Sequence, residues 1–153
     1  MRSFIGLIVS IVICFSAAFA GSRFMPGEWY ASLVKPSWNP PNTIFAPVWT
    51  TLYLMMAFSA WIVWKSFPFA QVKSALIIFV IQLILNALWT YLFFGMKNPG
   101  LAFVEIIILW GFILLTTVLF MRLNTLAGLL LIPYFLWVSF ASFLNYTIWR
   151  LNM

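Results

Sequence analysis

The pattern of hydrophobic and polar positions divides this chain into five long apolar segments separated by short polar ones. Lysines and arginines mark the divisions, and each interval between them holds about 20 residues or more, which is the length that a membrane-spanning helix needs. One interval contains an acid, Glu105. The pattern therefore predicts an all-α integral membrane bundle with five transmembrane helices, at about residues 4–22, 44–64, 74–95, 100–121 and 126–149.

Composition and charge agree with this prediction. Hydrophobic residues make up 65% of the 153 residues and charged residues only 7%, far from the averages of soluble domains. The net charge of +6 is spread over both ends of the predicted helices, with four basic residues on each side, so membrane orientation cannot be assigned. We expect these cations to contact anionic lipid headgroups, and nucleic acid is not an expected partner. The whole chain, 1–153, is predicted to be one membrane domain.

The first apolar segment has two interpretations. Arg2, the apolar run and Ala18-Phe19-Ala20 resemble a signal peptide with a small-residue cleavage site. Small residues at helical spacing favour instead a retained helix that packs closely on its neighbours: Ser10, Cys14, Ala17 or Ala18, and Gly21. We predict retention.

The longest polar segment, at about 23–43, is predicted to be a loop with a rigid end. Its segment Lys35–Pro41 contains three prolines, which fix φ, remove backbone donors and favour extended geometry in the preceding residues. Pro47 lies near the start of the next helix, where its missing N–H costs little. The segment is expected to form an aromatic-lined mouth above the second membrane helix.

Groups that carry enzyme chemistry are scarce in this sequence. There is no histidine, one cysteine and two acids, so metal sites and acid–base hydrolysis lack their usual side chains. We predict no catalytic residue and no metal ligand. The single cysteine excludes an intrachain disulfide.

Polar side chains inside the third span are the strongest indication of a site. Gln82, Asn86, Trp89 and Phe93 follow helical spacing and share one face. A buried amide is costly without partners, so Gln82 and Asn86 should face the bundle interior. They serve there either as interhelical hydrogen bonds or as ligand contacts.

Helix geometry brings residues of three spans to similar depths. At about 1.5 Å per residue, Trp49, Asn86 and Trp137 lie about 8, 13 and 18 Å below the membrane face that carries the long loop. Ala141 and Leu144 follow Trp137 on its helix face, and the small Ala141 leaves space beside the indole. This arrangement predicts a cavity for a flat apolar ligand. Other tryptophans fit the interfacial belt: Trp29, Trp38, Trp64 and Trp149.

Glu105 lies in the first two turns of the fourth span. We expect a structural ion pair with Lys97 or Arg150, and a polar contact at the cavity is the alternative.

These motifs, in this order and spacing, resemble the TspO/translocator protein family, also called tryptophan-rich sensory proteins or peripheral-type benzodiazepine receptors. The resemblance covers nearly the whole chain and rests on Trp29-Tyr30, Lys35–Pro41, Pro47–Tyr53, Gln82–Trp89, Phe93–Gly95, Pro133–Trp137 and Leu144–Arg150.

The resemblance implies a five-helix bundle, usually a homodimer, in the bacterial cell membrane. A pocket covered by the first loop would bind porphyrins such as protoporphyrin IX, sterols, and isoquinoline-carboxamide or benzodiazepine-type drugs. The porphyrin would be a ligand, with no obligatory cofactor. The implied ligand-binding residues are Trp49, Asn86, Trp137, Tyr30, Ala141, Leu144, Trp38, Tyr53, Trp89 and Gln82.

Two further properties follow from the resemblance. Leu144, Tyr146 and Arg150 match a proposed sterol-recognition pattern. The family's dimers often use a Gly-x-x-x-Gly-like third helix, which is absent here, and the small-residue stripe of the first helix could substitute for it as a dimer surface.

The resulting functional hypothesis is a ligand-binding membrane receptor or sensory regulator. The alternatives are a transporter of tetrapyrroles or sterols and an enzyme that degrades porphyrin in light.

Overall fold

The computed structural model describes residues 2–153, and the helices in this part of the chain confirm the predicted all-α membrane fold. Five of them are long and apolar enough to cross a bilayer. The α-helices are α1 Arg2–Ser22, α2 Glu28–Ser32, α3 Phe45–Ser66, α4 Phe69–Thr90, α5 Pro99–Leu123 and α6 Thr125–Leu151. A 3-10 turn, Asn42–Ile44, precedes α3, and a π-helical turn, Tyr91–Gly95, continues α4.

The five long helices form a closed ring in the order α1, α3, α6, α5 and α4, in which each helix packs on the next and α4 returns to α1. Successive long helices run antiparallel, and except for residues 23–44 between α1 and α3 the connections are short, such as Phe67 and Pro68 between α3 and α4. We call the side that carries residues 23–44 and the C-terminus the loop face. The opposite side, with residues 67–68 and 124, is the N-terminal face.

Asparagines set the starts of the last two helices. The side chain of Asn98 accepts a hydrogen bond from the Leu101 N–H at 3.0 Å, and Pro99 occupies the first turn of α5. Asn124 caps α6 in the same way, by accepting from the Ala127 N–H at 3.1 Å. Both helices therefore begin slightly before the apolar patterns predicted.

The long loop contains a helix that the sequence analysis did not predict. α2 is one turn and a half, and the Ala31 N–H bonds the Gly27 carbonyl at 3.0 Å. Its central residue, Tyr30, is buried. Apolar side chains beneath the loop stabilise α2, and such tertiary support for a short helix leaves little signal in local sequence.

The small-residue stripe of α1 packs inside this chain. Cys14 is fully buried, and a Cβ added at Gly21 would lie 3.4 Å from the Thr90 hydroxyl oxygen of α4. This packing agrees with the predicted close helix contacts. The other residues of the stripe, Ser10, Ala17, Ala18 and Gly21, are only partly buried, so its use as a dimer surface stays a prediction.

The tightest contact at a glycine lies where α5 and α6 meet. A Cβ at Gly128 would lie 2.6 Å from the Cα of Met121, which is backbone and cannot rotate away. Gly128 therefore permits α6 to return directly along α5 after the single residue Asn124.

Replacing Gly128 by alanine should force α5 and α6 apart and destabilise the protein by about 1–3 kcal/mol, as overpacked sites do. Gly111→Ala is the matched control, since Gly111 is also in a helix and its added Cβ meets no atom within 4 Å. That substitution should be neutral or stabilise by up to about 1 kcal/mol. Thermal unfolding of both variants in the same detergent checks the prediction, and equal melting temperatures would contradict it.

Candidate functional site

A cavity of about 720 Å³ lies inside the ring, just below the loop face. Its walls come from the loop-face halves of α1, α3, α4 and α6, from the π-helical turn, and from α2 and its flanking residues. Its volume is within the range of about 300–1,000 Å³ that small-molecule sites occupy.

The structure brings together eight of the ten residues that were predicted to bind ligand. These eight lie on the cavity wall: Trp49, Asn86, Trp137, Tyr30, Ala141, Leu144, Tyr53 and Trp89. Their convergence from four helices matches the depths estimated from the sequence. Their role in binding stays a prediction.

Trp38 and Gln82, which were also predicted to bind ligand, lie away from this wall. The Trp38 indole stacks on Phe143 of α6, with ring centroids 5.4 Å apart, and meets Phe140 edge-on at 5.8 Å. It fastens the proline-rich segment to the outer side of α6. Gln82 is buried one helical turn deeper than Asn86, where it serves as an interhelical hydrogen-bonding group.

A chain of hydrogen bonds forms the polar floor of the cavity. The Tyr53 hydroxyl donates to Asn86 Oδ1 at 3.0 Å, and Asn86 Nδ2 donates to the Tyr134 hydroxyl at 2.8 Å. Tyr134 in turn donates to Gln82 Oε1 at 2.6 Å. The four side chains join α3, α4 and α6 at the depth where unpaired polar groups are most costly. We call them the polar floor.

Sequence reasoning missed Tyr134, which is the central member of the polar floor. Tyr134 precedes Trp137 by three residues and Ala141 by seven, so it shares their face of α6. A helical pattern extended by one turn toward the N-terminal face would have found it.

A second missed residue, Asn145, holds the Trp89 indole in place. Asn145 Oδ1 accepts from Trp89 Nε1 at 2.9 Å, while Asn145 Nδ2 donates to the Pro99 carbonyl at 2.9 Å. These bonds join α4, α5 and α6. Trp89 also stacks on Phe93 at 5.2 Å, and Phe93 belongs to the π-helical turn, a feature often found at functional sites.

Asn86 and Trp137, which both line the cavity, keep N–H donors with capacity left. Asn86 uses one amide hydrogen on Tyr134 and retains the other. The buried Trp137 Nε1 has no hydrogen-bond partner within residues 2–153. Since buried donors are costly when unpaired, the site favours a ligand that brings acceptor atoms to the aromatic wall.

Hydrogen bonds made by Asn152 and Lys35 hold the loop over the cavity. Asn152, at the end of α6, accepts from the Val34 N–H at 2.9 Å and donates to the Val34 carbonyl at 2.8 Å. Lys35 Nζ donates to the Tyr30 carbonyl at 2.7 Å and lies 4.6 Å from the centre of the Tyr30 ring. Burial raises the pKa of the Tyr30 phenol, so Tyr30 remains neutral beneath the loop.

The exposed members of the cavity wall all lie on one edge. They belong to the end of α1, the segment 24–26 and the start of α3 with the turn before it, whereas Tyr30, Asn86 and Leu144 on the opposite side are buried. The cavity therefore opens between α1 and α3 at the depth of the loop-face lipid leaflet.

The ion pair predicted for Glu105 is not formed. Both carboxylate oxygens are buried without a hydrogen-bond partner in the described part of the chain, and the residue faces the interior from α5. Lys97 and Arg150 are exposed at the helix ends. Glu105 is also outside the set of residues that line the cavity.

The residues of the sterol-recognition pattern point in different directions. Leu144 is buried at the cavity, whereas Tyr146 is on the outer surface of α6 and packs on Phe103, with ring centroids 5.2 Å apart. Arg150 is exposed at the end of α6 and contacts the sulfur of Met153. The three side chains do not share one surface.

The fold and site define an integral membrane protein whose five helices enclose an aromatic chamber beneath a fastened loop. The chain belongs to the TspO/MBR family, which it matches over residues 5–150. It is 45% identical to the tryptophan-rich protein TspO of Chlorobaculum tepidum over 99% of this chain and 98% of that protein.

Other organisms carry similar proteins. The chain is 42% identical to the human translocator protein over 88% of this chain and 82% of that one. It is 39% identical to the tryptophan-rich sensory protein of Cereibacter sphaeroides, with 93% and 88% of the two chains covered. The family resemblance inferred from the motifs is confirmed, and the protein is a membrane protein of the sensory and translocator type.

Removing the Tyr134 hydroxyl should weaken the polar floor. Tyr134→Phe leaves Asn86 Nδ2 and Gln82 Oε1 without their present partner, and we expect a loss of about 1–2 kcal/mol in unfolding free energy. Tyr146→Phe is the control, because its ring is exposed on the outer surface of α6. Denaturant titration in mixed micelles measures both. A Tyr134→Phe protein as stable as the control would show that these bonds do not support the bundle.

Proposed function

We propose that this protein is a ligand-binding membrane receptor or sensory regulator that takes porphyrins, such as protoporphyrin IX, into the cavity beneath the loop. The observation that carries the proposal is the wall itself: indoles of three helices surround a cavity of about 720 Å³, and Asn86 and Trp137 on its wall keep N–H donors with capacity left. An aromatic wall with a few polar groups suits a flat apolar molecule.

The chemistry of a porphyrin matches this wall in two ways. Its macrocycle offers a large π-face to Trp49, Trp89 and Trp137. Its propionate groups are strong acceptors for the free amide hydrogen of Asn86 and for Trp137 Nε1. The amide carbonyls of isoquinoline-carboxamide and benzodiazepine-type drugs would use the same donors.

We expect the site to recognise the porphyrin ring more than a bound iron. The chain contains no histidine, which is a common axial ligand of haem. We therefore propose the porphyrin as an exchangeable ligand and not as an obligatory cofactor.

We also propose that the protein acts as a homodimer in the bacterial cell membrane. The similarity to a full-length bacterial relative supports this location. A dimer would use exposed apolar side chains on the lipid-facing surface, together with the partly exposed small residues of α1.

Loss of any one of the three converging residues should weaken porphyrin binding. We expect Trp49→Ala and Trp137→Ala to raise the Kd for protoporphyrin IX at least about tenfold, or about 1.4 kcal/mol, through lost stacking area. Asn86→Leu should do the same by removing a donor. Quenching of intrinsic fluorescence in nanodiscs measures the affinities.

Controls test whether porphyrin binding needs the cavity residues or only aromatic side chains anywhere in the protein. Trp110→Phe should bind normally, because Trp110 is on α5, away from the cavity, and donates to Ser139 at 2.8 Å. A porphyrin without carboxylates should bind wild type more weakly, and Asn86→Leu should reduce that difference in affinity. Equal affinities in wild type and all three cavity variants would refute the proposed site.

Weakening the loop fastening should accelerate ligand exchange. Asn152→Ala removes two hydrogen bonds to Val34, which are worth about 1 kcal/mol each at most in this exposed setting. We expect the dissociation rate of protoporphyrin IX to rise about tenfold. Thr147→Ala is the control, since its hydroxyl bonds only the Phe143 carbonyl of its own helix. Stopped-flow displacement measures the rates, and an unchanged rate in Asn152→Ala would show that the loop does not limit exchange.

A further inference from the structure

A second cavity lies at the opposite end of the bundle, between α1, α3 and α4. It is a groove of about 410 Å³ whose lining side chains are almost entirely apolar. Its floor is formed by buried residues, Gly6, Ala60 and Phe79. The loop-face cavity shares no lining residue with it, so the two are separate sites.

The groove opens outward toward lipid. The rims carry Ile5, Val9 and Ile13 of α1, which are 52%, 48% and 43% exposed, and Val80 of α4, which is 41% exposed. Near the loop face α1 and α4 are close together at Gly21 and Thr90, but at this end the groove lies between them. An apolar cleft of this kind, at membrane depth, is a receptacle for a hydrocarbon chain.

Two lysines mark the end of the groove at the N-terminal face. Lys73 precedes Leu76 by three residues and Val80 by seven, so it lies on the groove-lining face of α4 and nearer the membrane surface. Lys65 follows the groove residue Trp64 in α3, and its ammonium lies 4.0 Å from the centre of the Trp61 ring.

Acidic side chains are remote from these lysines. Both acids of the chain, Glu28 in α2 and Glu105 near the start of α5, belong to the half of the molecule at the loop face. Lys65 and Lys73 therefore leave a positive charge at the N-terminal-face ends of α3 and α4, which flank the groove, and a ligand from the membrane can neutralise it.

We propose that this groove binds one phospholipid with an anionic headgroup. One acyl chain fills the apolar groove between α1 and α4, and the headgroup phosphate contacts Lys65 and Lys73. A second copy of the protein is a poorer occupant. The symmetric, groove-to-groove dimer of two parallel chains in a membrane would bring the same lysines of both copies to one level, where like charges repel.

The test is lipid binding to the full chain in a neutral detergent, followed by native mass spectrometry. The probes are phosphatidylglycerol and phosphatidylcholine with identical acyl chains. We expect wild type to retain one phosphatidylglycerol with clear preference over phosphatidylcholine. Each lysine near a membrane surface contributes about fivefold in affinity, so Lys65→Gln/Lys73→Gln should lose about 25-fold for phosphatidylglycerol, less for the zwitterionic phosphatidylcholine, and with it the preference between the two lipids.

Two further variants distinguish the groove from the surface charge. Val80→Phe should fill the groove and reduce retention of both lipids. Arg122→Gln should change nothing, because Arg122 is on the same face but at the end of α5, which contributes no residue to the groove. Inorganic phosphate should not compete, since it lacks the acyl chain.

Other outcomes would overturn the proposal. Equal retention of the two lipids, or no effect of the double lysine variant, would mean that the groove holds ordinary bulk lipid. Conversion of a dimer to a monomer by Val80→Phe, without any lipid retained by wild type, would show that a second copy occupies the groove. Lipid exchange does not involve the porphyrin cavity, so neither result depends on the proposed function.

Discussion

The structure depends on the requirement that polar side chains inside a bilayer find their partners within the protein. Tyr53, Asn86, Tyr134 and Gln82 meet it by bonding to one another across α3, α4 and α6. Helices held by apolar contacts alone could slide or rotate at little cost. Each of these four polar side chains, by contrast, would lose a hydrogen-bond partner if its helix shifted. The polar floor thus sets the relative depth and rotation of three helices, and with them the positions of the indoles above it.

A cavity of this size persists because both of its ends are defined by directional bonds. The polar floor closes it toward the bilayer centre, and Asn152 with Lys35 holds the loop over its top. Between these ends the wall consists of rigid aromatic rings, several of which are fixed by contacts outside the cavity, as Trp89 is by Asn145. Lipid tails are as apolar as the helix surfaces, so burial of apolar side chains does little to hold helices together in a membrane. Specific contacts such as these therefore contribute a larger share of the packing free energy.

The membrane spans and the main cavity residues could be predicted because the bilayer restricts the depth at which each charged or polar residue can lie. Charges are confined to helix ends, which located the five spans, and the fixed rise of a helix placed Trp49, Asn86 and Trp137 at related depths. The sequence could not distinguish the two amides of α4, since Gln82 and Asn86 share a face and the depth at which the cavity ends depends on side chains of other helices. α2 and the unpaired carboxyl of Glu105 likewise depend on tertiary surroundings that no local pattern records.

The central claim is that three helices present their indoles and the Asn86 amide to one flat ligand. A structure of the protein with protoporphyrin IX bound, in a lipid environment, tests it most directly. The account predicts the macrocycle in contact with Trp49 and Trp137, with a propionate oxygen at the Asn86 amide. A macrocycle bound on the outer, lipid-facing surface of the bundle, with the chamber empty, would contradict it.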